Sequence, residues 1–556
     1  MAQLTHSDST DFKTNFCLIA LAILCLASFF VRLGYLPMIG PDEPRYTEIA
    51  REMYVTGDWI TPRLAGMHWF EKPALTYWLV AAGFQAFGVS EFAARLPIAL
   101  FSSLGVWLLF FFGQRLTTIR FGYLSASALI TSSLWVGFSR AATFDLPLAV
   151  SLEIALLAFF SVVSRKQRRV LVCLLFRYAC CFGMGLAMLA KGLIGIVLPA
   201  AIIGLFLLLT RNLGLLLKRP KLLLVGAAIF LATSATWYAP MFLRHGQEFW
   251  QDFFVAHHFQ RFLTNKFKHP QPFYFFTIVA LLGCLPWSFV FVAQAGSMLK
   301  RWRDLRREQP LLLFLWLWVI VMVGFFSIST SKLTGYILPV FPAIALLIGW
   351  QLEQWWQHKP RTLWRWLSLA TFLLLMAVGI GLAMRSGKIS QTDPFRVLGL
   401  AAVICGSAFV GITRLVLKGE RAATLWLPFG VALCLLTATF TVMPSMYFTQ
   451  STAVLASQAQ QVARPNERLV FFINNHFSID FYAPQLPLRE ANAYLKTVMK
   501  SEEIAALVES QPGKSLLVMT PKRWLKGIED TLPTEPIDTH HTWALVRVTA
   551  RNPPAQ

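Results

Sequence analysis

Charge is scarce in this chain and negative charge scarcer still. Lys and Arg number 50 and Asp and Glu 28 among 556 residues, so only 14% are charged. A soluble domain carries about 25%, and a water-soluble body of this size would lack the polar surface to cover it. A cysteine framework is also missing. Cys17, Cys25, Cys173, Cys180, Cys181, Cys284, Cys405 and Cys434 lie mostly inside apolar segments without metal spacing. That excludes a disulfide scaffold and leaves them as small packed residues. The polar first 15 residues lack a cleavage-site pattern, so the apolar run after them is expected to stay as a helix. No inverted repeat of the kind found in many transporters is visible.

What is present is apolar: 56% of the chain, in blocks such as 16–32, 223–240 and 397–413. About 20 apolar residues cross the hydrocarbon core as a helix, and helices satisfy their own backbone groups there. The hydropathy pattern predicts about thirteen spans, near 16–35, 95–114, 121–138, 144–163, 170–189, 191–210, 221–240, 273–294, 311–328, 334–352, 364–384, 396–416 and 423–443. The shorter aromatic run 74–88 is expected as a juxtamembrane helix in the interface plane.

The net charge of +22 sits largely in alternate short loops, for example Arg165, Lys166, Arg168 and Arg169, or Lys300, Arg301 and Arg303. Topology rather than nucleic acid accounts for it, and the positive-inside rule makes these loops cytoplasmic. The N-terminus is then inside. The long loops 37–94 and 241–272 and the residues beyond about 445 are outside. Strand-like runs at 468–473, 515–519 and 542–548 alternate with helix-like stretches at 451–462 and 501–510. They predict a small α/β domain over 446–556, attached to an all-α polytopic domain over 1–445.

Under this topology the chemistry-bearing residues gather on the outer side. Pro41-Asp42-Glu43-Pro44-Arg45-Tyr46 opens the first outer loop, where adjacent carboxylates need cations or protons. Asp42 and Arg45 share a helical face or form a surface ion pair. Phe70-Glu71-Lys72-Pro73 precedes the in-plane helix, and Lys72 also suits a snorkelling anchor. Asp145 starts a span, where a helix cap would explain it equally. Lys191 in Ala190-Lys191-Gly192 sits at an outer turn, where a C-terminal cation is also expected. The second outer loop carries His257-His258-Phe259-Gln260-Arg261-Phe262, with a histidine suited to a divalent cation. Lys332 and Tyr336, four apart, are expected on one helical face. Cations here would hold a lipid phosphate and carboxylates would orient or deprotonate an acceptor.

The ordered set of Pro41-Asp42-Glu43-Pro44-Arg45-Tyr46, Phe70-Glu71-Lys72-Pro73, Asp145, Ala190-Lys191-Gly192, His258-Phe259-Gln260-Arg261-Phe262 and Lys332-Leu333-Thr334-Gly335-Tyr336 resembles the C-type lipid-linked glycosyltransferases. These form the superfamily of protein O-mannosyltransferases, and the resemblance is nearest to the 4-amino-4-deoxy-L-arabinose transferases that modify lipid A. It implies an undecaprenyl-phosphate sugar donor, no nucleotide cofactor, and an acceptor such as lipid A, another glycan or a protein, met at the outer leaflet of the bacterial inner membrane. Carried over by position, Asp42 and Asp145 match essential carboxylates, with Glu43 beside them as a further catalytic candidate. Arg45, Tyr46, Lys72, Lys191 and Arg261 match groups around the donor or acceptor phosphates. Tyr336 matches an aromatic residue at the lipid phosphate and sugar pocket, and Lys332 is a further substrate-binding candidate beside it. Glu71 and His258 match ligands of a divalent metal, zinc above all. Family members usually show Lys-Gly-Lys-Leu-Pro-Thr-Tyr where this chain has Thr330-Ser331-Lys332-Leu333-Thr334-Gly335-Tyr336. The reaction expected is inverting attack of an acceptor oxygen on the anomeric carbon. A transporter or flippase of lipid-linked sugars is the rival reading.

Overall fold

The computed structural model describes all residues except 1–4, 165–169, 215–219, 261–270, 301–304, 306–307, 359–360, 386–392, 491–494, 512 and 551–556. It is an apolar helical bundle carrying a small mixed sheet near the C-terminus. Among the described residues nine helices are long and apolar enough to cross a membrane, from Glu91–Leu116 to Glu420–Phe440. The predicted span at 121–138 is instead two helices, Ile119–Ile130 and Ser133–Ser139, bent by 67°. The predicted span at 273–294 is broken between Phe275–Gly283 and Ser288–Lys300. Around 221–240 one helix runs far past the expected end, from Pro220 to Phe249, with Gly246 at φ 45° and ψ −114° interrupting it near its tip. The expected number of spans is therefore not reached by straight, full-length helices.

The loop 37–94, expected on the outer side, is itself folded. Its helix Asp42–Thr56 starts with two carboxylates in the first turn, where the helix dipole favours them, and ends at Gly57 with φ 71°. The short strands β1 (Arg63–Leu64) and β2 (Met67–His68) form a hairpin. The expected in-plane helix is Leu75–Phe87, packed against Glu91–Leu116 so closely that a Cβ on Gly83 would collide with the Ala93 carbonyl.

One buried ion pair pins this loop to the bundle. Arg95, 2% exposed, donates to both oxygens of Glu43 at 2.7 and 2.9 Å, and to the carbonyls of Leu33 and Leu36 at 3.1 and 2.6 Å. Glu43 Oε1 also accepts the Ala142 N–H at 3.0 Å. All of these hydrogen bonds run to acceptors, as a buried cation requires.

Near the C-terminus, β3 (Leu469–Phe472), β4 (Thr497–Val498), β5 (Ser515–Pro521), β6 (Thr534–His540) and β7 (Trp543–Thr549) form one sheet in the order β4-β3-β5-β7-β6. The β3 strand runs parallel to β4 and β5, while β7 is antiparallel to β5 and β6. Leu469, Phe471, Leu517 and Leu545 bury on one face and Val470, Leu516, Val518 and Val546 on the other. Both faces are covered, so β3, β5 and β7 read as continuous apolar runs. The sheet region docks on the 37–94 segment: Tyr482 donates to Glu91 and accepts from Met38 N–H, both at 2.8 Å.

Glu48, buried at this junction, accepts from Arg51 at 2.7 and 2.8 Å. Burial pushes its carboxyl up to about 7 against the pull of Arg51, with Glu52 and Asp480 adding to the rise. The folded form then holds a proton that the unfolded chain releases near pH 4.5. Stability from this group is full at lower pH and is lost as pH rises toward about 7. Thermal unfolding in detergent at pH 5 and pH 8 should show the wild type losing melting temperature that Glu48→Gln retains. Equal losses in the two proteins would contradict this. In the same assay Arg95→Met, which leaves Glu43 buried without its cation, is expected to cost about 3–5 kcal/mol. Arg464→Met, at an exposed 4.0 Å pair, should cost almost nothing.

Candidate active site

Asp145 begins the helix Asp145–Val163, yet its side chain makes no cap hydrogen bond; Phe144 holds the cap position. The carboxylate instead meets the ammonium of Lys191. Lys191 ends the helix Val170–Lys191, where the dipole favours a cation, and Gly192 with φ 76° turns the chain away. The Lys191 ammonium lies 4.5 Å from the centre of the Tyr336 ring. Tyr336 comes from the 3-10 turn Thr334–Val340, and its neighbour Gly335 abuts Asp145. A Cβ on Gly335 would collide with the Asp145 carboxylate and come within 2.8 Å of Phe138. Four segments thus meet at one half-buried carboxylate–ammonium pair.

A second cluster lies beside it. Asp42, 42% exposed at its side chain, accepts from Arg45 at 3.0 Å, on one face of the Asp42–Thr56 helix as the spacing predicts. The Arg45 guanidinium lies 5.6 Å from the Trp69 ring and 5.4 Å from that of Phe477. Tyr46 and Tyr77 pack edge-on against Phe144, at 4.7 and 5.0 Å. Burial raises both phenols well above their ordinary value, and the negative charges of Glu71 and Asp42 raise them further. Both stay protonated and uncharged. Lys72 meets Glu71 at 2.9 Å.

The two clusters are held together by Glu43. Asp42 precedes it in the chain, and the Ala142 N–H that it accepts belongs to the short turn leading to Asp145. Glu43 is therefore enclosed rather than open to substrate. Sequence grouping placed it with the reacting carboxylates, but both its oxygens are used in positioning. Arg95, its partner, was missed because an arginine near a span end reads as a topology signal. Lys332 also differs from expectation. It lies before the 3-10 turn, not on a helical face shared with Tyr336, and donates to the carbonyls of Ser329 at 2.6 Å and Gln271 at 3.1 Å.

Arg261 and the side chain of His258 lie outside the described residues. Of the two expected metal ligands only Glu71 is described, and its carboxylate is engaged by Lys72. A different group of donors, His68, His245 and Glu248, does converge, with ligand atoms within 4.8 Å of one another. Nothing local marks this group, because His245 and Glu248 lie 177 and 180 positions from His68 and only the fold unites them.

The contact at Gly335 yields a direct expectation. Gly335→Ala should push the Asp145 carboxylate off Lys191 and lower glycosyl transfer at least about tenfold, while the protein still inserts and purifies. Full activity in Gly335→Ala would show that the Asp145 position is not needed.

Three comparisons bear on this geometry. The model of the dolichyl-phosphate-mannose-protein mannosyltransferase family matches residues 71–239. The undecaprenyl phosphate-alpha-4-amino-4-deoxy-L-arabinose arabinosyl transferase of Aeromonas salmonicida is 32% identical over 404 residues, 71% of this chain and 72% of the relative. The protein of the same description from Aeromonas hydrophila is 34% identical over 335 residues, 59% of each chain. Among solved structures, ArnT from Cupriavidus metallidurans bound to undecaprenyl phosphate superposes with a TM-score of 0.77 at 24% identity, covering 95% of this chain and 97% of that one. It shares the fold, bundle and sheet together, and this chain is a multi-pass membrane protein. By its likeness to the Aeromonas salmonicida enzyme, the chain belongs to the family of undecaprenyl phosphate-alpha-4-amino-4-deoxy-L-arabinose arabinosyl transferases.

Proposed function

We propose that the protein transfers 4-amino-4-deoxy-L-arabinose, or a closely related sugar, from undecaprenyl phosphate to lipid A or another periplasmic acceptor, with inversion at the anomeric carbon. The observation that carries the reading is the meeting of Lys191, Asp145, Tyr336 and Gly335, linked to the helix of Asp42 and Arg45 through the Tyr46–Phe144 contact and Glu43, from four distant parts of the chain. The basic loops support reading this site and residues 446–556 as periplasmic, with the N-terminus in the cytoplasm.

The acceptor oxygen forms its bond to the anomeric carbon as the bond to the lipid phosphate breaks, and the electron pair departs with undecaprenyl phosphate. Lys191 stabilises the charge gathering on that phosphate. Before substrate arrives Asp145 balances the ammonium, and the aromatic face of Tyr336 sets its direction. Arg45, held by Asp42 and walled by aromatic rings, supplies a second cation for a phosphate. An acceptor phosphate oxygen is already anionic, and Asp42 then orients partners. A hydroxyl acceptor would pass its proton to Asp42, the more exposed carboxylate. Lys332, tied to two carbonyls, holds the loop that carries Gly335 and Tyr336.

A transporter would place ionisable groups along a passage at the bilayer midplane. Glu153, midway along the Asp145–Val163 span, is fully buried with its carboxylate packed against Gly105, so it faces a neighbouring helix rather than a passage. The convergence of charge lies instead at the helix ends, which favours transfer.

Purified protein in detergent, given labelled undecaprenyl-phosphate aminoarabinose and lipid A, should yield a modified lipid A of increased mass. Asp42→Asn and Lys191→Ala should each reduce the product by at least about a hundredfold while leaving insertion and melting temperature close to wild type. Wild-type turnover in both variants, or no new glycoside from the wild type with any lipid-linked pentose or hexose, would reject the reading.

A further inference from the structure

The first outer loop and the tip of the Pro220–Phe249 helix are joined by a set of contacts that do not involve the proposed transfer site. Asp58 accepts from Arg63 at 2.9 Å, from Arg244 at 2.8 Å and from the backbone N–H groups of Ile60 and Thr61 at 3.2 Å. Burial works to raise this carboxyl, but these donors hold it well below the usual range. Trp237 donates from its indole N–H to the Ile60 carbonyl at 2.8 Å. Arg63 and Arg244 are thereby occupied, and their charge is balanced by Asp58.

Next to these contacts, His68 on β2 faces His245 and Glu248. The two imidazoles are edge to face with centroids 4.7 Å apart, and His68 Nδ1 lies 2.9 Å from Glu248 Oε1. Phe70 stacks on His68 at 5.1 Å and leans on His245 at 5.0 Å, while the Thr61 hydroxyl lies 3.0 Å from His245 Nε2. Each ring is thus fixed by an aromatic neighbour, and one also by a hydroxyl. A His68–Glu248 hydrogen bond alone would not need a second imidazole brought to the same point. His245 and Glu248 are three residues apart, and the break at Gly246 lies between them, so the chain leaves regular helix geometry just where both side chains turn to His68.

We propose that His68, His245 and Glu248 bind a divalent transition metal of the zinc class, clasping the β1–β2 hairpin to the tip of the Pro220–Phe249 helix. Two imidazole nitrogens and one carboxylate oxygen form a donor set that zinc takes, with its fourth position left to water or an anionic oxygen. The donor atoms already lie within 4.8 Å of one another. Zinc–ligand bonds of about 2.0–2.2 Å leave neighbouring donors roughly 3–4 Å apart, a closure that rotation of two partly exposed side chains can supply. The clasp uses none of the residues carried over for a metal, Glu71 and His258. It fixes the segment that leads directly into 250–260.

The test is metal binding by the full chain in detergent, without turnover. Protein stripped with chelator and dialysed against zinc should take up one ion with an affinity that falls at least about tenfold in each of His68→Gln, His245→Gln and Glu248→Gln, but not in Glu71→Gln. Cobalt in place of zinc should give visible d–d absorption in the wild type that is lost in the same three variants. His68 and Glu248 are 35% and 51% exposed at their side chains, so replacing them leaves no buried group without a partner. Uptake unchanged in all three variants would overturn the clasp, as would uptake abolished by Glu71→Gln alone. No uptake by well-folded wild type would overturn it too.

Discussion

The geometry of this protein depends on a single buried ion pair between the start of the first outer helix and the mouth of the bundle. Arg95 could not lie 2% exposed in an apolar bundle without acceptors on every side, and Glu43 with the Leu33 and Leu36 carbonyls provides them. Taking both charges out of water is costly, and such a pair is worth keeping where it selects one arrangement among several. Here the arrangement selected is the approach of two chain segments. Through Asp42 on one side and the Ala142 N–H on the other, Glu43 sets the distance between the carboxylate on the loop and the carboxylate on the span.

From that constraint the site follows. The turn held by Glu43 carries Phe144 into the Tyr46 and Tyr77 rings and delivers Asp145 to Lys191. Opposite charges at the facing ends of two helices, one a first turn and one a last turn, suit both helix dipoles. Tyr336 and Gly335 then close the group from a third direction, and the glycine is required because no side chain fits against Asp145. The resulting place has a cation able to receive a phosphate, a carboxylate to share it, and a second carboxylate more open to water.

Much of this was legible in the sequence. Apolar blocks separated by basic loops gave the polytopic class, and the strand-like runs at 468–473, 515–519 and 542–548 became β3, β5 and β7, whose two buried faces made them uniformly apolar. The edge strands β4 and β6 escaped notice, being short in one case and polar in the other. Asp42, Arg45, Asp145, Lys191 and Tyr336 stood out because acids, bases and an aromatic fall together on the expected outer side, where the basic-loop rule does not account for them. What periodicity could not convey was pairing across the chain. Nothing local marks Arg95 as the partner of Glu43, or His245 as a neighbour of His68. Helix breaks were equally hidden: 121–138 reads as one apolar run, yet it bends by 67° between two helices. Tertiary packing, not composition, decided those features.

The central claim is that the Lys191–Asp145–Tyr336 group receives the phosphate of the lipid carrier. Equilibrium binding of undecaprenyl phosphate to the purified protein tests it without any sugar chemistry. The account predicts that Lys191→Ala weakens binding at least about tenfold, the scale of one charge-assisted contact, while Arg165→Ala, in a loop expected to be cytoplasmic, leaves it unchanged. Equal affinity in the wild type and Lys191→Ala would contradict it.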